Sequence, residues 1–235
     1  VLLTMQGALH LALRTDSLAR FFMLLCVCIW VPVLLFAFPY VRHAGGEQRF
    51  LGFYTMTLGV LMGLAMAANF VTMYMFFEMM SLITVPLVLH TATAAARRAG
   101  FKYLGYSVFG AGMALIGYFF VAYYLAAPDF AAGGVIDLAK SAQHRELLLV
   151  AYCLMIVGFG AKAGIIPLHG WLPKAHPEAP SNVSALMSGG MIKIGIFGIL
   201  KVGLDLLSAS GVQVWWGLMV MVFGAISSVL GVAFA

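Results

Sequence analysis

Charge is what this sequence has least of. Only 9% of its 235 residues are Asp, Glu, Lys or Arg, against 63% hydrophobic, and the mean hydropathy is +1.04. Soluble domains carry about a quarter charged residues, so a soluble globular domain is excluded and an all-α polytopic membrane protein is implied. Cysteine is also sparse. Cys26, Cys28 and Cys153 all fall inside apolar runs without metal-ligand spacing, so the sequence offers no metal site. There is no cysteine cluster or nucleotide motif to hold a redox cofactor. The net charge of +5 does not point to nucleic acid, because the basic residues are scattered through short connections between apolar runs. A cleavable signal pattern is missing too, and the chain begins at Val1 and ends within an apolar run at Ala235. This pattern reads as a piece of a longer protein, with 1–235 forming one transmembrane domain.

What is present is a series of apolar stretches of about 20 residues, the length that crosses the hydrocarbon core. Val1–Leu13 is apolar but short, reading as the end of a helix or an interfacial segment. Seven spans follow: Ser17–Tyr40, which Pro32 and Pro39 should kink and end; Phe50–Ala68; Phe70–His90; Phe101–Leu125; Glu146–Leu168; Asn182–Leu206; and Val212–Ala235. Thr91–Gly100 reads as a turn, and Ala126–Arg145 as a polar connection with room for a short surface helix. Gly105, Gly110, Gly112 and Gly117 in the fourth span suggest close helix approach. Sorting the loop cations puts Arg42, Arg49, Arg97, Arg98, Lys102 and Lys174 on one side and Arg14, Arg20, Lys140, Arg145 and Lys201 on the other. The larger group marks the cytoplasmic side. Lys201, near a span end, is expected to snorkel, and Trp171, Trp215 and Trp216 to anchor at the interface.

Three ionisable residues lie well inside spans: Glu78, Lys162 and Lys193. A lysine at membrane depth costs roughly 2.5–3.5 kcal/mol on insertion scales, and such residues usually line a pathway. The alternative is a structural ion pair between Glu78 and one lysine. Lysine suits proton work because burial lowers its pKa from about 10.4 while a nearby carboxylate restores it. Withdrawing a carboxylate from about 4 to 8 Å removes roughly 2 kcal/mol at an effective dielectric of about 20. That is close to the approximately 2.3 kcal/mol needed to move one charge against 100 mV. Gly164 and Pro167 can break the fifth span and open it to water. His169 reads as a proton relay. His176 reads as packing or a relay, since no further ligand completes a metal set with it. Ser184, Ser188, Gly189, Gly190, Gly195 and Gly198 leave space near Lys193 for water or close helix contact.

The segment AKAGIIPLHGWLPKAHPEAPSNVSALMSGGMIKIGIFGILK resembles the most characteristic region of the antiporter-like proton-translocating subunits shared by complex I, Mrp antiporters and energy-converting hydrogenases. The stretches NFVTMYMFFEMMSLITVPLVLH and FKYLGYSVFGAGMALIG extend the resemblance upstream, and within the family the chain is most similar to hydrogenase-4 component B and formate hydrogenlyase membrane subunits. The resemblance implies about fourteen helices in two inverted repeats, each with a broken helix, of which this chain holds the first repeat. It assigns Glu78 and Lys162 as a coupled pair and Lys193 as the next station, with exit in the second repeat. It further implies partner membrane subunits, a peripheral hydrogenase or dehydrogenase arm carrying the redox centres, and the cell's inner membrane as location. Alternatives are a complex I or Mrp subunit, or a non-transporting scaffold.

Overall fold

The computed structural model describes residues 3–4, 10–208 and 213–233. The N-terminal stretch is extended where described: β1 (Leu3–Thr4) pairs antiparallel with β2 (His10–Leu11). Asp16 caps the first helix, α1 (Ser17–Ala44), accepting from the Ala19 amide at 2.7 Å. This helix runs through both Pro32 and Pro39 rather than ending near Tyr40. Each proline removes one amide donor, a loss that membrane helices tolerate.

Two glycines turn the chain into α2 (Glu47–Ala65). Asn69 then caps α3 (Phe70–Val88), accepting from the Thr72 amide and donating to Asp129 and to the His10 carbonyl. The expected turn at Thr91–Gly100 is instead the start of α4 (Ala94–Ala122): Thr93 caps it, and the alanine-rich opening has high helix propensity. The polar connection holds α5 (Leu138–Ser141), capped by Asp137.

The fifth span is α6 (Arg145–Ala163), closed by Gly164 at φ +70°. A Cβ there would be strained by the left-handed backbone and would collide with Leu172. The connection that follows is mostly helical: a 3₁₀ turn at Leu168–Trp171 and α7 (Leu172–Glu178). The sixth span starts as α8 (Ser181–Leu186) and passes through a π-turn at Met187–Met191. It continues as α9 (Ile192–Lys201) and a second π-turn at Val202–Leu206. The last described helix is α10 (Gln213–Ala233).

Six helical stretches among the described residues are long and apolar enough to cross a membrane. The seventh expected span, α2, has 19 residues but opens on Glu47, Gln48 and Arg49, which lower its mean hydropathy. It packs between α1 and α3 through Phe50, Tyr54, Leu61 and Leu64.

The tightest pairing is α4 on α6. Tyr103, Ser107, Gly110, Ala114 and Gly117 recur at three- and four-residue steps along α4, as do Ala151, Met155, Gly158 and Lys162 along α6, so each set lies on one helix face. A Cβ on Gly110 would sit 2.5 Å from the Gly158 carbonyl oxygen, and one on Gly158 would sit 2.6 Å from the Gly110 carbonyl oxygen. Gly105 and Gly112 have open space instead, so only half of the expected glycine stripe is used.

Candidate functional site

Lys162 lies on the face of α6 that Gly158 brings against α4, one turn below Gly158 and in the last turn of its helix. Its side chain is 1% exposed. The ammonium donates to Tyr103 Oη at 2.5 Å, Ser81 Oγ at 3.1 Å and Ser107 Oγ at 3.2 Å. Its three N–H bonds therefore meet three neutral oxygens. The Phe77 and Tyr103 rings lie 5.9 and 4.5 Å from the nitrogen, adding cation–π attraction. The phenol oxygen is also 2.7 Å from Thr84 Oγ1. Phe77, Ser81 and Thr84 follow one another at helical steps down one face of α3.

This cage suits a group that changes protonation. A hydroxyl both donates and accepts, so the three partners can rotate to serve a neutral amine as readily as an ammonium. A carboxylate cage would hold the charge permanently. The C-terminal end of α6, with its partial negative charge, favours the ammonium.

Glu78 is one residue off the Phe77–Ser81–Thr84 stripe, about 100° around α3, and so misses the cage. Its carboxylate accepts from Tyr74 at 3.3 Å and lies within reach of the Lys162 charge without forming a salt bridge to it.

Lys193 is partly buried and donates to the Ser188 carbonyl at 2.5 Å, in the π-turn preceding its own helix. Lys162 and Lys193 do not meet as an opposed pair. Their helices do: a Cβ on Gly195 of α9 would collide with the Phe159 carbonyl and the Ala163 amide of α6.

The break after Lys162 is anchored by buried groups. Trp171 is 1% exposed rather than interfacial, and its indole donates to the Ala161 carbonyl at 2.9 Å, satisfying one of the terminal carbonyls of α6. Its ring stands 5.1 Å from Tyr103 and so helps fix the phenol. Ser227 of α10 accepts from the Ile166 amide at 3.1 Å. His169 Nδ1 is buried with no hydrogen-bond partner among the described residues, while His176 pairs with Ser184 at 2.7 Å. The cage hydroxyls were missed in the sequence; the usable signal was Tyr103 and Ser107 sharing the glycine face of α4.

Lys201 departs furthest from expectation. It does not snorkel: it is 2% exposed and bonded to Asp16 and to Asp205, the latter at 2.7 Å. Among the described residues no group of His, Cys, Asp and Glu has the arrangement of a metal site.

A family model described as the transmembrane region of NADH:quinone oxidoreductase and the Mrp antiporter matches residues 67–235. The chain belongs to this family. Hydrogenase-4 component B of Escherichia coli is 39% identical to it over 227 residues, 96% of this chain and 33% of that protein. Formate hydrogenlyase subunit 3 of the same organism is 42% identical over 105 residues, 43% of this chain and 17% of that one. The archaeal membrane-bound sulfane sulfur reductase shares the fold with a TM-score of 0.72 over 90% of this chain and 42% of its own, at 20% identity. Respiratory complex I from Thermus thermophilus does so at 0.68 over 81% and 41%, with 21% identity. The chain spans about a third of the length of hydrogenase-4 component B. The NADH:quinone oxidoreductase/Mrp family is therefore the setting in which Lys162 and its cage are to be read, as part of a multi-pass membrane protein.

Proposed function

We infer that this chain is part of a proton-translocating subunit of a redox-driven membrane complex. The reading is of the energy-converting hydrogenase or formate hydrogenlyase type, in the cytoplasmic membrane, with electron transfer on a peripheral arm. The observation that carries it is the Lys162 ammonium, 1% exposed and held, among the described residues, by hydroxyls and rings. An amine whose sole function was to lock helices would be better served by a carboxylate partner. Glu78 lies near enough to bias Lys162 and is free of a direct bond to it, so a shift of α3 changes the amine's electrostatic environment. Lys193 accepts the proton along α9, and His169, whose Nδ1 has no hydrogen-bond partner among the described residues, relays at the break. The relation to hydrogenase-4 component B supports the choice of complex over the NADH–quinone and Mrp types.

The test uses the intact complex in inverted membrane vesicles. Lys162→Ala and Glu78→Gln should each retain assembly and electron transfer and lower redox-driven acidification at least tenfold. Unchanged acidification in both variants would leave a scaffold as the reading. Hydrogen evolution by the purified complex marks the hydrogenase type.

A further inference from the structure

One face of α4 borders two clefts in succession. Ala95, Arg98, Lys102, Gly105 and Phe109 follow one another at three- and four-residue steps, so they share one side of the helix. The outer cleft, about 470 Å³, is bounded by Arg98 and Lys102 of α4 and by Lys174 and Glu178 of α7. The inner one, about 460 Å³, runs from Lys102 past Gly105 and Tyr106 to Phe109 and Leu168. Lys102 belongs to both. Its Nζ and the Tyr106 Oη lie 3.9 and 2.9 Å from where a Cβ on Gly170 would sit, so a cation and a hydroxyl meet where the clefts join.

The two clefts differ as membrane depth requires. With 29 residues α4 is roughly 44 Å long, against about 30 Å of hydrocarbon, so its ends project into the headgroup layers. The outer cleft sets three cations against one carboxylate, and Glu178 forms no ion pair with any of them. Among the described residues Arg98, Lys102 and Lys174 have no hydrogen-bond or ion-pair partner. An excess of two positive charges is left to be neutralised. Beyond Lys102 and the Tyr106 hydroxyl the inner cleft is apolar, and Gly105 leaves open space where any other residue would place a Cβ. From Lys102 to Phe109 the groove descends about 10 Å, most of the way through the roughly 15 Å of one leaflet.

We propose that this face of α4 binds one anionic phospholipid, its phosphate among Arg98, Lys102 and Lys174 and one acyl chain in the groove over Gly105. Charge complementarity names the occupant: phosphate pairs with Arg and Lys through charge-assisted hydrogen bonds, and basic pockets beside membrane helices suit anionic headgroups. Glu178 is an acceptor for the hydroxyls of a glycerol headgroup. A water-soluble anion leaves the apolar groove unfilled, and an uncharged lipid leaves the cations unpaired. The bound lipid ties α4 to α7 and so steadies the connection that follows Lys162. The site is independent of whether the subunit moves protons.

The experiment strips lipid from the purified intact complex and adds phosphatidylglycerol carrying a photoactivatable diazirine in its acyl chain; labelled peptides are identified by mass spectrometry. Label is expected on residues 102–109 and at Leu168. Unlabelled phosphatidylglycerol should compete at a concentration at least tenfold lower than phosphatidylcholine with the same chains. Combining Arg98→Gln, Lys102→Gln and Lys174→Gln should bring the two competitors within about twofold of one another. Gly105→Leu, which fills the groove and keeps the cations, should lower labelling there at least fivefold. All four positions are exposed, so both variants are expected to assemble, and where one does not the other decides. Equal competition by the two lipids in the unmodified complex, or unchanged labelling in Gly105→Leu, overturns the proposal and leaves lipid that merely solvates the helix. Absence of label from this segment in the intact complex also overturns it and leaves the face to a partner subunit.

Discussion

Tyr103 is the side chain on which the Lys162 cage turns. Its oxygen takes the shortest of the three amine contacts and is bonded in turn to Thr84, while its ring covers the nitrogen and rests on Trp171. Tyr103→Phe keeps the ring and removes the oxygen. A hydrogen bond to a charged partner contributes about 1.5–3 kcal/mol, and each 1.4 kcal/mol is a factor of ten. The variant should therefore slow proton translocation by at least about tenfold with the complex still assembled, as vesicle acidification would report. Glu78, Lys162 and Lys193 were legible at this scale because a charge in an apolar run is costly wherever the chain folds. Ser81, Tyr103 and Ser107 were not, because hydroxyls are cheap in membrane helices and only the meeting of α3, α4 and α6 gives them a common partner. Lys201 was misjudged because snorkelling was argued from its distance to a span end. Its partner Asp16 belongs to a segment 185 residues away, which no local rule pairs with it.

Among elements, the α4–α6 contact sets the geometry of the amine. Gly110 and Gly158 let the backbones touch, and Lys162 follows Gly158 by one turn on the same face. Gly158→Ala places a methyl 2.6 Å from the Ala114 amide nitrogen, where backbone has to move. Overpacking of this kind costs about 1–3 kcal/mol. We expect it to lower the thermal stability of the complex, measured by loss of assembled complex on heating. Gly112→Ala, which enters open space, should leave the midpoint unchanged. The sequence showed the glycines without saying which were used, since Gly105 and Gly112 have the same composition and the wrong face. It showed the break after Lys162 through Gly164 and Pro167. The helix at Leu172–Glu178 escaped notice because prolines at both ends masked a short helical run.

Across the molecule, most of the described acidic and basic groups lie near the two ends, and Glu78, Lys162 and Lys193 stand inside the spans. Arg98, Lys102, Lys174 and Glu178 border a cleft at the end bearing the α6 break. Asp16, Lys201 and Asp205 mark the other. For five of the eleven loop cations the grouping matches the expected sorting, Arg98, Lys102 and Lys174 at one end and Arg14 and Lys201 at the other. Between the ends, exposed side chains such as Phe21, Leu35, Phe101, Phe119, Val214 and Val229 are of the kind that lipid solvates. The most direct check is on the Lys162 amine itself, in the intact complex carrying ¹⁵N-lysine. Difference infrared spectra are taken between resting and turning-over states, and the Lys162 band is identified by its loss in Lys162→Ala. The account predicts a band that switches between ammonium and neutral amine with turnover; an ammonium that stays charged in both states would contradict it.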